Sequence, residues 1–135
     1  MKVLVDTSVW SLALRRSRQS EDASVEELRL LVQQGRVAII GPIRQELLCG
    51  LRTTEQFQRL RDHLRPFPDE TLETADFERA AEHFNACRAE GVHGSNTDFL
   101  ICAAAERRKL PILTTDGDFV RFAQILPIAL HSRGR

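Results

Sequence analysis

The chain has 135 residues, 42% of them apolar and 28% charged, and its 19 basic side chains are balanced by 19 acidic ones. That is enough apolar material for one real core and too little chain for a second, so residues 1–135 read as a single domain. Zero net charge excludes a protein drawn onto nucleic acid by its overall field, and no apolar run nears the roughly 20 residues of a membrane span.

In chain order, Lys2-Val3-Leu4-Val5 is a β-branched run too brief for a helix. It ends at Asp6-Thr7-Ser8, where the helical spacing of Val9, Trp10, Leu12 and Ala13 begins. Asp6 or Thr7 could be a plain helix cap; their company has to decide. Arg15 to Ala23 is polar and basic, a loop or a frayed helix end. Ser24-Val25-Glu26-Glu27 then has the form of a capping box opening a helix that turns Leu28, Leu31 and Val32 inward and stops at Gly35. Val37 to Ile40 is a second buried strand, and Gly41-Pro42 starts the next helix, with proline in the permitted first turn. Glu46 lies one turn in, either as a solvated residue or on the edge where the other acids gather.

Thr53 to Leu64 is amphipathic, with Phe57, Leu60 and Leu64 inward and Arg52, Arg59, Arg61 and Arg65 on wet faces. Such arginines are a solvated surface or a phosphate contact. Leu64 to Pro68, with two prolines, suits only an edge strand or an extended connection. A long helix from Thr71 or Thr74 to Glu90 buries Phe77, Ala80, Ala81, Phe84 and Cys87, and Gly91 and Gly94 mark the loop beyond. Ser95-Asn96-Thr97-Asp98 caps a helix that is apolar all round from Phe99 to Ala105 and is stopped by Pro111. Ile112 to Thr114 is a short buried strand running into Thr115-Asp116-Gly117-Asp118-Phe119. A short helix to Ile125 and a last strand from Pro127 to Leu130 finish the chain.

Cys49, Cys87 and Cys102 are odd in number and sit in helical apolar patterns, which is reduced core usage; His63, His83, His93 and His131 show no ligand spacing. Met1-Lys2 enters a strand directly, with no secretion signal, so a cytoplasmic protein is expected.

Strands alternating with helices predict an α/β fold, a three-layer α/β/α sandwich around a mainly parallel sheet of four to five strands. Right-handed crossovers put the carboxyl ends of parallel strands on one edge. That edge collects Asp6, Glu46, Asp98 and Asp116, with Asp118 close by. Carboxylates held together repel, so some stay protonated or a cation sits among them. An all-oxygen set suits magnesium, or manganese, better than zinc.

The ordered combination Asp6-Thr7-Ser8, Glu46, Asn96-Thr97-Asp98 leading into Leu100-Ile101-Cys102-Ala103-Ala104, and Leu113-Thr114-Thr115-Asp116-Gly117-Asp118-Phe119 resembles a PIN-domain nuclease over essentially the whole chain. The size is similar to that of VapC toxins of type II toxin-antitoxin pairs. The resemblance implies a magnesium-dependent endoribonuclease with a catalytic pocket of Asp6, Glu46, Asp98 and Asp116. Asp6, Asp98 and Asp116 would hold the metal, with Thr7, Ser8, Asn96 and Asp118 as supporting polar positions. It also implies an RNA substrate, a homodimer and a VapB-like antitoxin partner. Cys102, where the family usually has a small residue, departs mildly from the pattern.

A non-toxin PIN nuclease of RNA processing shares these motifs. A catalytically silent RNA-binding PIN-like domain should have lost an acidic position, and none is missing. A haloacid-dehalogenase-type phosphatase needs a second aspartate where Ser8 stands, and a phosphoreceiver needs a strand-end lysine, which neither Lys2 nor Lys109 supplies.

Overall fold

The computed structural model describes residues 1–14 and 22–132. Its elements run β1 (Val3–Val5), α1 (Thr7–Leu14), α2 (Ala23–Gln33), β2 (Val37–Ala38), α3 (Gly41–Leu48), α4 (Thr54–Leu64), α5 (Thr74–Ala89), α6 (Asn96–Arg108), β3 (Ile112–Leu113) and α7 (Asp118–Ile125). Most of the polar stretch expected from Arg15 lies outside the described residues.

The sheet is parallel, with strand order β2-β1-β3 and Leu4 paired to both Ala38 and Ile112. Its two crossovers run in opposite directions, β1 to β2 and then β2 back past β1 to β3, so right-handed connections put their helices on opposite faces and give the three layers. Two further positions extend the sheet by single parallel bridges, Ile39 to Asp69 and Ile112 to Leu130. The outer strands expected near residues 64–68 and 127–130 are reduced to these bridges. Pro66, Pro68 and Pro127 have no N–H to give a ladder, and α4 itself runs on to Leu64.

The strands are short because they are wholly interior. Val3, Leu4, Val5, Ile112 and Leu113 are buried together with Phe99, Ile101 and Cys102 to Ala105 of α6, the expected all-round apolar helix. Three details differ from the sequence reading. The cap of α2 is Asp22, whose carboxylate accepts from Ser24 N, so Ser24 is already inside the helix, Val25 turns inward and Val32 outward. Phe57 is exposed, leaving Leu64 as the buried residue of α4. Cys49 is exposed as well, so only Cys87 and Cys102 belong to the interior.

A fourth difference concerns α5, which turns Asp76, Ala80, His83 and Cys87 inward and leaves Phe77 and Ala81 outside. Pairing with α6, its largest neighbour, decides the face. Asp76 accepts from Arg107 Nη1 at 2.8 Å, from Arg108 Nη1 at 2.8 Å and Nη2 at 2.9 Å, and from Glu73 N at 2.7 Å. Beside it Arg79 grips both oxygens of Glu106 at 3.0 Å, and His83 Nε2 meets Glu106 Oε1 at 2.7 Å. A buried carboxylate with four donors is satisfied, whereas turning the helix to bury Phe77 would strand it.

The Arg108 guanidinium, more than anything else, holds the Asp76 carboxyl well below the ordinary range. A depressed folded-state pKa contributes stability that is present above the unfolded pKa and is lost as pH falls through the folded one. Asp76→Ala should therefore destabilise the protein by about 2 kcal/mol at neutral pH, less than a fully buried broken pair because the arginines keep one flank in water. The difference from the parent should shrink in strong acid, as urea titrations across pH will register.

Candidate active site

The carboxyl end of β1 delivers Asp6 into the first turn of α1, where its backbone carbonyl accepts from Val9 N at 3.1 Å. The side chain is buried, and one oxygen is fully occupied: Oδ2 accepts from Ser8 Oγ at 2.7 Å and from Thr114 Oγ1 at 2.8 Å. Thr114 also takes Asp116 N at 3.0 Å, Ser8 takes Thr115 N at 3.1 Å, and Asp116 Oδ1 takes Asp118 N at 2.9 Å. One chain of hydroxyls thus fixes the end of β1 to the end of β3. Strand residues alone could not do this, because the ladder ends at Leu113, whose carbonyl accepts Asp6 N.

Asp98 arrives from the other direction, at the N-terminus of α6. It forms a reciprocal capping box, with Ser95 N donating to Asp98 Oδ2 at 3.0 Å and Asp98 N donating to Ser95 Oγ at 3.1 Å. The loop before it must be glycine at position 94: a β-carbon there would lie 2.6 Å from the Phe122 ring and 3.2 Å from Asp98 Oδ2. Burial pushes the Asp98 carboxyl above its usual range, and the charges of Asp6 and Asp116 push it further, outweighing the Ser95 hydrogen bonds. That mutual repulsion is the electrostatic mark of three acids brought together from β1, α6 and the segment after β3.

Glu46 is exposed on α3 and joins the group through α1, accepting from Thr7 Oγ1 at 2.7 Å. It faces Thr97 of α6 across a cleft of about 330 Å³ with Pro42, Gln45 and Cys49 on its walls. Asp118 is turned aside to pair with Arg121, so its contribution is the backbone N–H to Asp116. Asn96 is exposed in the first turn of α6.

Sequence reading missed Thr114 and Gly94. Thr114 stood inside the quoted Leu113-Thr114-Thr115-Asp116 motif, but nothing in one sequence says that its hydroxyl bridges two distant aspartates. Cys102, the departure noted in the motif, lies buried beneath the site, and burial first, with Asp98 next, pushes its thiol far up and keeps it an inert filler.

Among the described residues no three histidine, cysteine, aspartate or glutamate side chains are drawn into a metal-ligating group. The donor chemistry nonetheless fits a hard cation. All contributors are carboxylates, and burial first, then the charges of Asp6 and Asp116, disfavours ionisation of Asp98.

The fold and the site together define the class: a parallel α/β domain with carboxylates from β1, α6 and the segment after β3 near one strand-end edge. The family model of the PIN domain matches residues 3–125, and the chain belongs to that family. A comparison with curated proteins finds no match. Among solved structures the fold resembles VapBC2 from Rickettsia felis bound to a DNA fragment from its promoter, with 21% identity, 97% of this chain and 98% of that chain covered, and a TM-score of 0.78. FitAcB from Neisseria gonorrhoeae superposes with 21% identity, 96% of each chain and a TM-score of 0.76. VapBC-5 from Mycobacterium tuberculosis, a member of the VapBC family of toxin-antitoxin systems, does so with 20% identity, 96% of each chain and a TM-score of 0.67. No helix among the described residues is long and apolar enough to cross a membrane.

A carboxyl whose folded-state pKa is raised contributes its stability below the unfolded pKa and loses it as pH rises through the folded pKa. In EDTA at neutral pH, Asp98→Asn should therefore melt above the parent, since the amide oxygen can still accept from Ser95 N and the repulsion is gone. Differential scanning calorimetry at pH 7 reads the sign directly.

Proposed function

We propose that this PIN domain is a divalent-metal-dependent endoribonuclease and the toxin of a toxin-antitoxin pair. The observation that carries the reading is the acidic edge itself: Thr114 donates to Asp6 and accepts Asp116 N, and Asp98 is fixed at the start of α6 by its capping box with Ser95. Membership of a family of nucleases gives that arrangement its chemistry.

Asp6, Asp98 and Asp116 would hold a magnesium ion, directly or through water, and manganese suits the same oxygen set. The bound ion supplies a Lewis acid for a phosphodiester oxygen and a water of lowered pKa for attack. The chain's own residues do the positioning. Ser8 and Thr114 both donate to Asp6 Oδ2 and fix that carboxylate. The capping box keeps Asp98 in one rotamer while the helix that carries it is buried behind. Glu46, held by Thr7, would either ligate the ion or position a water. Thr7 and Ser8 support their acids, Asp118 supports Asp116 through its N–H, and Asn96 is left free to reach substrate.

VapBC complexes are among the solved structures that share this fold, and a VapB-like antitoxin is the partner we assign on that basis. A homodimer in the cytoplasm completes the proposal. The alternative within the same family, a housekeeping RNA-processing nuclease, differs in its biology and not in its chemistry. Induced expression that leaves growth untouched while purified protein cleaves RNA would favour that alternative.

Purified protein incubated with RNA should cleave it in magnesium and stop in EDTA, on denaturing gels. Asp98→Asn should lose at least about 100-fold in rate, as expected when a primary charge of such a site is removed. Cleavage by Asp98→Asn equal to the parent's would sink the assignment. Thr114→Val removes the hydroxyl between Asp6 and Asp116 and should cost about 10- to 100-fold in activity, the range for groups that orient metal ligands. Raising magnesium should recover part of that loss, whereas it should do nothing for Asp98→Asn.

A further inference from the structure

Arginine dominates the basic residues of this chain, and most of the described arginines are committed. Arg44 bonds Asp69 and the Leu64 and Phe67 carbonyls; Arg79, Arg107 and Arg108 hold the α5–α6 pair; Arg29, Arg61 and Arg121 pair with neighbouring acids. Arg36 bonds the Met1 carbonyl and Gln34, and Arg88 bonds Asn85 and lies over the Phe84 ring. Among the described residues the arginine side chains without a partner are Arg52, Arg59 and Arg65, all on α4 or beside its ends.

One of these faces a groove. Gln56, Arg59, Leu60 and His63 fall at successive three- and four-residue steps of α4, which puts them on a single helix face. That face looks across a cleft of about 550 Å³ at Ser11 and Leu14 of α1 and at Glu46 and Leu47 of α3. On α1, Ser11 stands one turn beyond Thr7, and Thr7 holds Glu46 and directly follows Asp6. The groove therefore leads away from the acidic centre along α1. Arg59 and Glu46 share it without forming an ion pair, because Glu46 is bonded to Thr7 and Arg59 has no partner.

We propose that this α1–α3–α4 groove is a nucleotide subsite of the active centre, in which Arg59 holds a backbone phosphate next to the scissile one and the leucines receive the base or ribose. The proposal rests on the ribonuclease reading and names where its substrate lies. A cleft of this volume is the size of one nucleotide with water to spare. The chemistry has a reason as well: the centre itself is anionic and repels phosphate, so a strand needs a cation along its path. A forked guanidinium suits phosphate oxygens better than an ammonium does. Arg52 and Arg65 flank α4 outside the groove, and Arg36, beside Met1 at the amino end of β1, lies at the opposite edge of the sheet.

The test is binding and cleavage of one defined probe, a 3′-fluorescein-labelled single-stranded 12-nucleotide RNA of mixed sequence, with the full chain in magnesium. Anisotropy is read in the Asp98→Asn background, so that the probe survives. There Arg59→Ala should weaken binding about 10-fold and reduce the slope of log K against log salt by about one phosphate contact. Arg59→Lys should restore the slope and part of the affinity, and Arg36→Ala should change neither. In the otherwise unaltered protein, Arg59→Ala should raise KM for the same RNA about 10-fold with kcat within a factor of two. Arg59→Ala binding with unchanged affinity and salt slope would overturn the subsite while leaving the ribonuclease reading intact. So would a loss of affinity for a co-expressed protein partner with no change toward RNA, which would make the groove a protein seat. A parent that neither binds nor cleaves any RNA would remove the ribonuclease reading first, and the subsite with it.

Discussion

Like charges do not collect in a fold unless something holds them there, and the burial of Asp98 near Asp6 and Asp116 is the constraint on which this molecule turns. Its carboxyl is pushed toward the protonated form by burial and by Asp6 and Asp116. Every element that meets at that edge is anchored against the repulsion. Hydroxyls of Ser8 and Thr114 grip Asp6, backbone N–H groups grip Asp98 and Asp116, and Thr7 grips Glu46. None of these partners carries a positive charge. A lysine or arginine among them would neutralise the acids and leave the site no demand for a cation.

The positive charge is used elsewhere, for rigidity. Arg79, Arg107 and Arg108 lock α5 to α6 through Glu106 and Asp76 at the end of α6 remote from Asp98. At the near end aromatic packing takes over: Phe84 meets Phe99 edge-on at 5.5 Å, Phe99 meets Phe122 at 5.0 Å and Phe119 meets Phe122 at 5.1 Å. Gly94 threads between that cluster and Asp98, where any side chain would have to displace the Phe122 ring. The helix that delivers the most strained acid is thus clamped at both ends, by ion pairs at one and by rings at the other.

Helix α4 is the contrast. Its Thr53–Gln56 capping box and amphipathic sequence form it locally, but it buries only Leu64 and lends most of its surface to water. A helix held so lightly can adjust to what lies beside it, and its arginines have not been drawn into the core's ion pairs. On the proposed ribonuclease reading, anchored acids on one side of Glu46 and the unpaired Arg59 on the other would suit a long anion.

The sequence alone determined a good deal. Strand, acidic turn and helix at Val3 to Leu14, the proline-started α3, the Ser95 cap and the all-apolar α6 are local patterns, written in period and cap chemistry that neighbours in the chain can express. That the ends of β1 and β3 lie together on one edge was legible too, because crossover handedness fixes which edge collects strand ends. What only tertiary structure decided were choices between alternatives of nearly equal local cost. Asp76 and His83 face inward on α5, and Phe77 outward, because Arg107, Arg108 and Glu106 await them from another helix. Thr114 became the link between two aspartates through a hydroxyl whose partner is more than a hundred residues away. The outer strands thinned to single bridges where prolines met a sheet already satisfied. Periodicity reports that a face is buried, but the pairing of charges across helices fixes which polar residues belong to it, and that pairing does not exist until the helices meet.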